Sequence, residues 1–372
     1  MLQWSPEPKL DMPVNRLTKG QKREFLRDGF VVIKNAVPKD ISQKARDLIT
    51  AALPKDEHRL LVPAELATHP DVVGLFGNTC LAEIMRREMG PFPDVISCQV
   101  AVTPGHDKTA GRPGPHVDGS WGGVIPSDPA EIDLASGRPK DAASFFGEND
   151  DRLGTNDGQL WQDPERRMSL GSFTAIVGVA LNDQSEPGNG QFGVLRGMHE
   201  EVEAQFRKQR DSGGIIGPEG AGWPRIKLDD DGKPFLNGLF ESVRAKAKVM
   251  AQQNEPIENW PWPEMTPICL EQGDAVIALH SCPHSSTPNL GPKPRMNCYF
   301  RVRRLREDSP HEGTRRLGHG VSDHLDRGYF GQFLDYPNHY DPWQTSIDKL
   351  CDHWSEWDGM HDVVADARPN AD

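Results

Sequence analysis

The apolar positions in LTKGQKREFLRDGFVVIK, residues 17–34, change period partway along. Thr18 reads as an N-cap, the residues after it as a short amphipathic helix, and Phe30-Val31-Val32-Ile33 as a buried strand. A second helix is predicted in ISQKARDLITAAL, where Ile41, Ala45, Leu48 and Ile49 recur at helical spacing and form one apolar face for packing on a sheet. Strands are predicted at residues 95–102, 174–181, 275–279 and 297–302, which are short β-rich runs bounded by Gly, Pro, Asn or Asp. These runs do not alternate with regular helices. The pattern therefore predicts an antiparallel sandwich or barrel rather than a doubly wound α/β sheet, with helices gathered at the N-terminal end.

Two long polar segments, near 127–168 and 200–262, interrupt the strands. Structureless stretches of that length inside a compact domain are usually lids, binding loops or inserts. Trp161, Trp223, Trp260 and Trp262 lie within them, as pocket contacts or as anchors for the inserts themselves. After about residue 305 the chain turns rich in aromatic, His and Asp residues, as in GYFGQFLDYPNHYDPW, and is expected to fold back onto the body. The expected organisation is an extension at 1–16, one domain at 17–304 carrying both inserts, and a C-terminal extension at 305–372 packed on the core.

Composition narrows the partners. The 372 residues include 42 basic and 55 acidic side chains, a formal net charge of −13, which disfavours nucleic acid and anionic membrane. The N-terminal MLQWSPEPKLDMPVNR lacks the apolar stretch of a secretion signal, and no later run is long enough to span a bilayer. A cytoplasmic protein, monomeric or homodimeric, is expected. The six cysteines are scattered, with no C-x-x-C pair, so a zinc ribbon or redox dithiol is not expected.

Candidate chemistry centres on GPHVDGSW, residues 114–121, where His116 and Asp118 stand two apart. On a strand, that spacing projects both side chains to one face. Alone, an H-x-D pair is a weak sign of metal and more often reads as a polar turn. Downstream, QGDAVIALHSCPHSSTPN ends a strand in a histidine-bearing turn, and Arg295 lies on the next strand. Two histidines and one carboxylate suit a mononuclear iron(II) ion, and an arginine can pair bidentately with a distal carboxylate.

These residues resemble the phytanoyl-CoA dioxygenase family of iron(II)- and 2-oxoglutarate-dependent oxygenases. The resemblance spans about residues 17–304 and rests on LTKGQKREFLRDGFVVIK, on His116-x-Asp118 with Trp121 after it, on ALNDQSEPGNGQFGVLRGMHE, and on the strand leading to His284, Asn289 and Arg295. It implies a mainly β fold with flanking helices, built on a double-stranded β-helix, a jelly-roll, cupin-like core. It further implies His116, Asp118 and His284 as iron ligands and Arg295 as partner of the 2-oxoglutarate distal carboxylate, at the family's separation of 295 − 284 = 11 positions. His280, at 295 − 280 = 15 and inside the strand, is the less favoured ligand. Gln99 and Ser286 are further candidate cosubstrate contacts, Gln99 being equally readable as a polar strand position and Ser286 as part of the turn. Trp121 is a candidate substrate contact or core aromatic, and His199 is expected to be structural.

The activity so implied is oxidation of an unactivated C–H bond in a small molecule, using iron(II), 2-oxoglutarate and O₂ and releasing succinate and CO₂. Retention of the carboxylate at Asp118 favours hydroxylation, desaturation or ring formation over halogenation. The acidic balance favours a neutral or cationic metabolite over a CoA thioester. Two other readings stand beside it: a non-catalytic jelly-roll protein that binds metal or ligand, and an O₂-independent cupin-type isomerase or lyase.

Overall fold

The computed structural model describes residues 16–53, 64–92, 94–95, 97–106, 115–118, 174–211, 239–250, 264–302, 304 and 357–367, with short strand segments at 132–133, 138–139, 225–227, 234–237, 314–317 and 332–335. Trp121, the tryptophans of the two polar segments and nearly all of 127–168 lie outside the described residues.

Five helices and one strand come first: α1 (Lys19–Asp28), β1 (Phe30–Ile33), α2 (Lys39–Ala52), α3 (Ala64–Ala67), α4 (Pro70–Gly77) and α5 (Cys80–Glu88). Strands β2 (Gln99–Thr103), β3 (Ile132–Asp133), β4 (Arg138–Pro139), β5 (Ala175–Ala180) and β6 (Phe192–Val194) follow. Next are α6 (His199–Asp211), β7 (Arg225–Lys227), β8 (Pro234–Asn237) and α7 (Glu241–Met250). The chain continues through β9 (Thr266–Pro267), β10 (Ala275–Leu279), β11 (His284–Ser286), β12 (Arg295–Val302), β13 (Thr314–Leu317), β14 (Gln332–Asp335) and α8 (Met360–Ala367).

Helix α1 begins where the sequence predicts. The Thr18 side chain accepts from the Gln21 backbone N–H while the Gln21 side chain reaches back, a reciprocal cap. Gly29 ends the helix in the left-handed conformation at φ 80°. An added Cβ there would also fall 2.6 Å from Nδ1 of the buried His199, so this turn admits glycine alone without rearrangement.

The strands form an antiparallel five-stranded sheet, β1-β10-β5-β12-β2, and a three-stranded sheet, β11-β6-β9. Alternation along β12 divides its side chains between two environments. Met296, Cys298, Phe300 and Val302 face the helices, with the Phe300 ring stacked 5.5 Å from Phe76 of α4. Burying such a ring contributes about 1.5–3 kcal/mol. Arg295, Asn297, Tyr299 and Arg301 take the opposite face. Tyr299 lies 5.5 Å from Phe192 of the smaller sheet, so the two sheets meet face to face. Gly178 makes room for that ring, since a Cβ there would sit 2.8 Å from Tyr299 Cε1.

Residues 200–262 hold more regular structure than their polarity suggests. Val202 and Phe206 of α6 and Val243 and Ala247 of α7, each pair four apart, are buried together with Val117, Leu195, Met198 and Leu239 in a second apolar cluster. The expectation of a structureless insert is therefore corrected for this segment: the 3.6-residue stripe is present but narrow, set among charged positions. Near the C-terminus, Trp357 packs 5.0 Å from Phe25, and the Asp358 N–H donates to the Glu88 carbonyl. Lys22 and Glu88 pair at 2.8 Å beneath that contact. No helix among the described residues is long and apolar enough to cross a membrane. Cys80, Cys98, Cys269, Cys282 and Cys298 are all free thiols.

Asp28, at the end of α1, ties the N-terminal helices to the segment entering α6. It accepts from Nε and Nη2 of Arg27 at 2.8 and 2.7 Å and from Nε and Nη2 of Arg196 at 2.6 and 2.8 Å. Burial pushes its pKa up, but the bonds and charges of the two arginines outweigh burial and leave it below the ordinary carboxylate value. A carboxyl lowered on folding adds stability above its unfolded pKa of about 3.9 and loses it as pH falls through the folded value. The Asp28→Asn variant is therefore expected to be about 1–2 kcal/mol less stable at pH 7, discounted for the exposure of both arginines, and the deficit is expected to shrink below about pH 4. Urea melts at pH 7 and pH 3 measure it, and an equal deficit at both would exclude the charge as the cause.

Candidate metal centre

His116 and His284 come together through a backbone bridge. The N–H of each donates to the carbonyl of the other, at 3.0 and 2.9 Å, which lays residues 115–118 alongside β11. On its other edge β11 pairs with β6, His284 opposite Val194. Alternation then sends Val117 into the second apolar cluster and leaves His116 and Asp118 on the side of His284.

One ligand atom from each of His116, Asp118 and His284 lies within 4.8 Å of the other two, an arrangement able to hold a metal ion. Asp118 Oδ1 is 3.4 Å from His116 Nε2 and 3.7 Å from His284 Nε2. The imidazoles are 5.0 Å apart between centroids, and Phe192 lies 5.1 Å from His284 on its other side. His284 Nδ1 is 3.0 Å from the Cys282 carbonyl. A carbonyl only accepts, so Nδ1 carries the proton and the Nε2 lone pair is directed at the cluster.

The protonation states suit a cation. Burial pushes His284 down to about 4, against the pull of Asp118, so the imidazole is neutral and able to donate its lone pair at neutral pH. Burial raises the Asp118 carboxyl, but the Arg301 charge, a hydrogen bond from His116 and the imidazoles hold it well below the usual range. The buried carboxylate is therefore ionised. Two imidazole nitrogens and one carboxylate oxygen form the donor set of the two-histidine, one-carboxylate iron sites, and the residues present fit that ion.

The other sequence candidates divide. His280 is not in the cluster: its Nε2–H donates to the Asp118 backbone carbonyl at 2.8 Å. His199 is fully buried elsewhere, its Nε2 3.1 Å from the Leu26 carbonyl. Ser286 sits two positions beyond His284 on β11 and shares its face by alternation. Arg295 is buried on β12, its Nε donating to the Gly190 carbonyl at 2.7 Å and its Nη1 reaching the Ala101 carbonyl at 3.4 Å. Those two bonds leave three of the five guanidinium N–H groups for a further acceptor. Asn289 fastens the intervening turn by donating to the carbonyls of Thr103, Pro104 and Lys293 at 3.3, 2.9 and 2.9 Å.

Gln99 has a partner that sequence reasoning missed: its Oε1 accepts from Arg301 Nη2 at 3.0 Å. Arg301 also bonds Asp118 and is as close to the cluster as any candidate. One signal for it was present in the sequence. Arg301 is six positions from Arg295 on one strand, so both face the same way.

No protein-family description matches the chain. No curated protein matches it either. Solved structures similar to it include HygX from Streptomyces hygroscopicus with nickel, 2-oxoglutarate and hygromycin B bound, at 14% identity over 76% of this chain and 86% of that one, with TM-score 0.41. EctD from S. alaskensis with 2-oxoglutarate and 5-hydroxyectoine is 14% identical over 80% and 78% of the two chains, with TM-score 0.40. The non-heme alpha ketoglutarate dependent carbocyclase SnoK from nogalamycin biosynthesis is 13% identical over 77% and 84%, with TM-score 0.39. Likeness at that level carries no assignment of fold or function, so the functional reading rests on the side chains themselves.

Proposed function

We propose that this protein is an iron(II)- and 2-oxoglutarate-dependent dioxygenase of the phytanoyl-CoA dioxygenase type, oxidising a C–H bond of a small-molecule metabolite, and that its two facing sheets are the halves of a double-stranded β-helix. The observation that carries the reading is the convergence of His116, Asp118 and His284 on one point from segments far apart in the chain. His116, Asp118 and His284 hold the iron, and Arg295 takes the far carboxylate of 2-oxoglutarate. When bound, the iron supplies activation of O₂ coupled to conversion of 2-oxoglutarate to succinate and CO₂, with oxidation of the substrate C–H bond.

The chain's own residues prepare that chemistry. The Cys282 carbonyl fixes the His284 tautomer, and burial keeps the ring neutral. Arg295 is aimed by the Gly190 carbonyl, so its guanidinium meets a carboxylate without reorganising. Phe192 and Tyr299 place an apolar wall beside His284, which keeps water from the reacting centre.

An anaerobic titration of metal-free protein with Fe(II) and then 2-oxoglutarate tests the reading. A visible charge-transfer band is expected to appear only when both are present. Bound iron with no band would overturn it in favour of a metal-binding jelly roll or an O₂-independent lyase or isomerase, neither of which has a use for 2-oxoglutarate.

A further inference from the structure

The Arg301 guanidinium grips Asp118 in an unusual way. Arginine forks commonly place two parallel N–H groups on the two oxygens of a carboxylate. Here Nε and Nη2 both donate to the same atom, Oδ2, at 3.0 and 2.8 Å. Nη2 also serves Gln99 Oε1 at 3.0 Å. Gln99 stands opposite Tyr299 in the β2–β12 ladder, so a two-strand register sets where the fork lies. Oδ1, by contrast, faces both imidazole Nε2 atoms, at 3.4 and 3.7 Å. His280 holds the same residue from behind through the Asp118 backbone carbonyl.

We infer that Arg301 is a positioning residue that makes Asp118 a one-oxygen ligand. The inference rests on the iron reading above and deepens it. A buried carboxylate beside a divalent cation can bind through both oxygens, and the second would then take a coordination position that a chelating cosubstrate needs. Arg301 engages Oδ2 with two N–H bonds and a full charge, so only Oδ1 reaches the ion. The side chains of both residues are buried, at 7% and 2% exposure, so water does not weaken the pair. Gln99 thereby acts on the site through Arg301, by way of its carbonyl oxygen.

Two measurements on the full chain separate this role from a merely structural one, in wild type, Arg301→Gln and Arg301→Lys. Fe(II) affinity is read first, by competition with a chromophoric chelator and without cosubstrate. 2-Oxoglutarate affinity is read next, from the anaerobic charge-transfer band. Arg301→Gln is expected to hold Fe(II) within about threefold of wild type, yet to bind 2-oxoglutarate roughly tenfold or more weakly, a loss of about 1.4 kcal/mol. Arg301→Lys, which keeps a cation beside Oδ2, is expected to recover most of that loss. Unchanged 2-oxoglutarate affinity in Arg301→Gln would overturn the inference. So would a parallel loss of both affinities, or no recovery in Arg301→Lys. A wild-type protein that gives no band fails the iron reading itself, whereas a wild-type band with indifferent variants fails only the role of Arg301.

Discussion

Asp118→Asn is expected to lose about 3–5 kcal/mol of stability in the metal-free protein and to bind Fe(II) roughly a hundredfold more weakly. Both effects follow from one charge. Asp118 accepts two N–H groups from Arg301 within the protein, and removing its charge breaks that buried ion pair. Breaking a buried ion pair by removing one partner costs more than the pair itself contributes. The same substitution replaces the single anionic donor among the three candidate ligands by a neutral amide. Urea denaturation and chelator competition measure the two losses separately. Adding Arg301→Gln to Asp118→Asn is expected to restore part of the stability but none of the metal affinity. A double variant as unstable as the sum of its parts would show that the two side chains do not act as a pair.

Arg295→Ala is expected to leave Fe(II) affinity near wild type and to weaken 2-oxoglutarate by about 2–4 kcal/mol, roughly 30- to 1000-fold. The separation follows from position, since Arg295 is not among the three ligand residues and its own bonds run to the Gly190 and Ala101 carbonyls. A carboxylate meeting that guanidinium replaces water with two charge-assisted bonds in a buried site. The charge-transfer titration reads the effect, and Arg295→Lys is expected to recover only part of it, because an ammonium cannot present the planar fork. Equal 2-oxoglutarate affinity in Arg295→Ala and wild type would remove the cosubstrate from the Arg295 side chain. The pair of predictions also divides the site, with Asp118 expected to govern the metal and Arg295 the cosubstrate, and a single cause such as misfolding cannot move one without the other.

Much of the fold was legible in the chain because its cues are local. The Thr18 and Gln21 cap, the apolar run Phe30–Ile33, the α2 face built on Ala45 and Ile49, and strands β5 and β10 all appear within a residue or two of where their patterns place them. Strand β2 starts at Gln99, four residues later than its apolar run, because its ladder with β12 ends at the Gln99–Tyr299 pair and the Cys98 N–H donates instead to the Ala67 carbonyl. The helices α6 and α7 were hidden by their charge: too few apolar positions mark their buried faces, and the stripe is buried against Val117, Leu195, Met198 and Leu239 from elsewhere.

At the site the division is sharper. Residue types and spacing by themselves determined that His116 and Asp118 share a face and that Arg295 lies on the strand after His284, because two-residue alternation is a property of any extended backbone. Only the tertiary structure places His284, and not His280, in the cluster with His116 and Asp118, since that depends on which backbone bridges His116 and where each ring then points. It alone brought Arg301 and Gln99 to Asp118, 183 and 202 being the sequence separations of the Arg301 contacts. No local pattern encodes a contact of that range. It arises when sheet register fixes one strand against another, and register is a property of the packed sheets rather than of either strand alone.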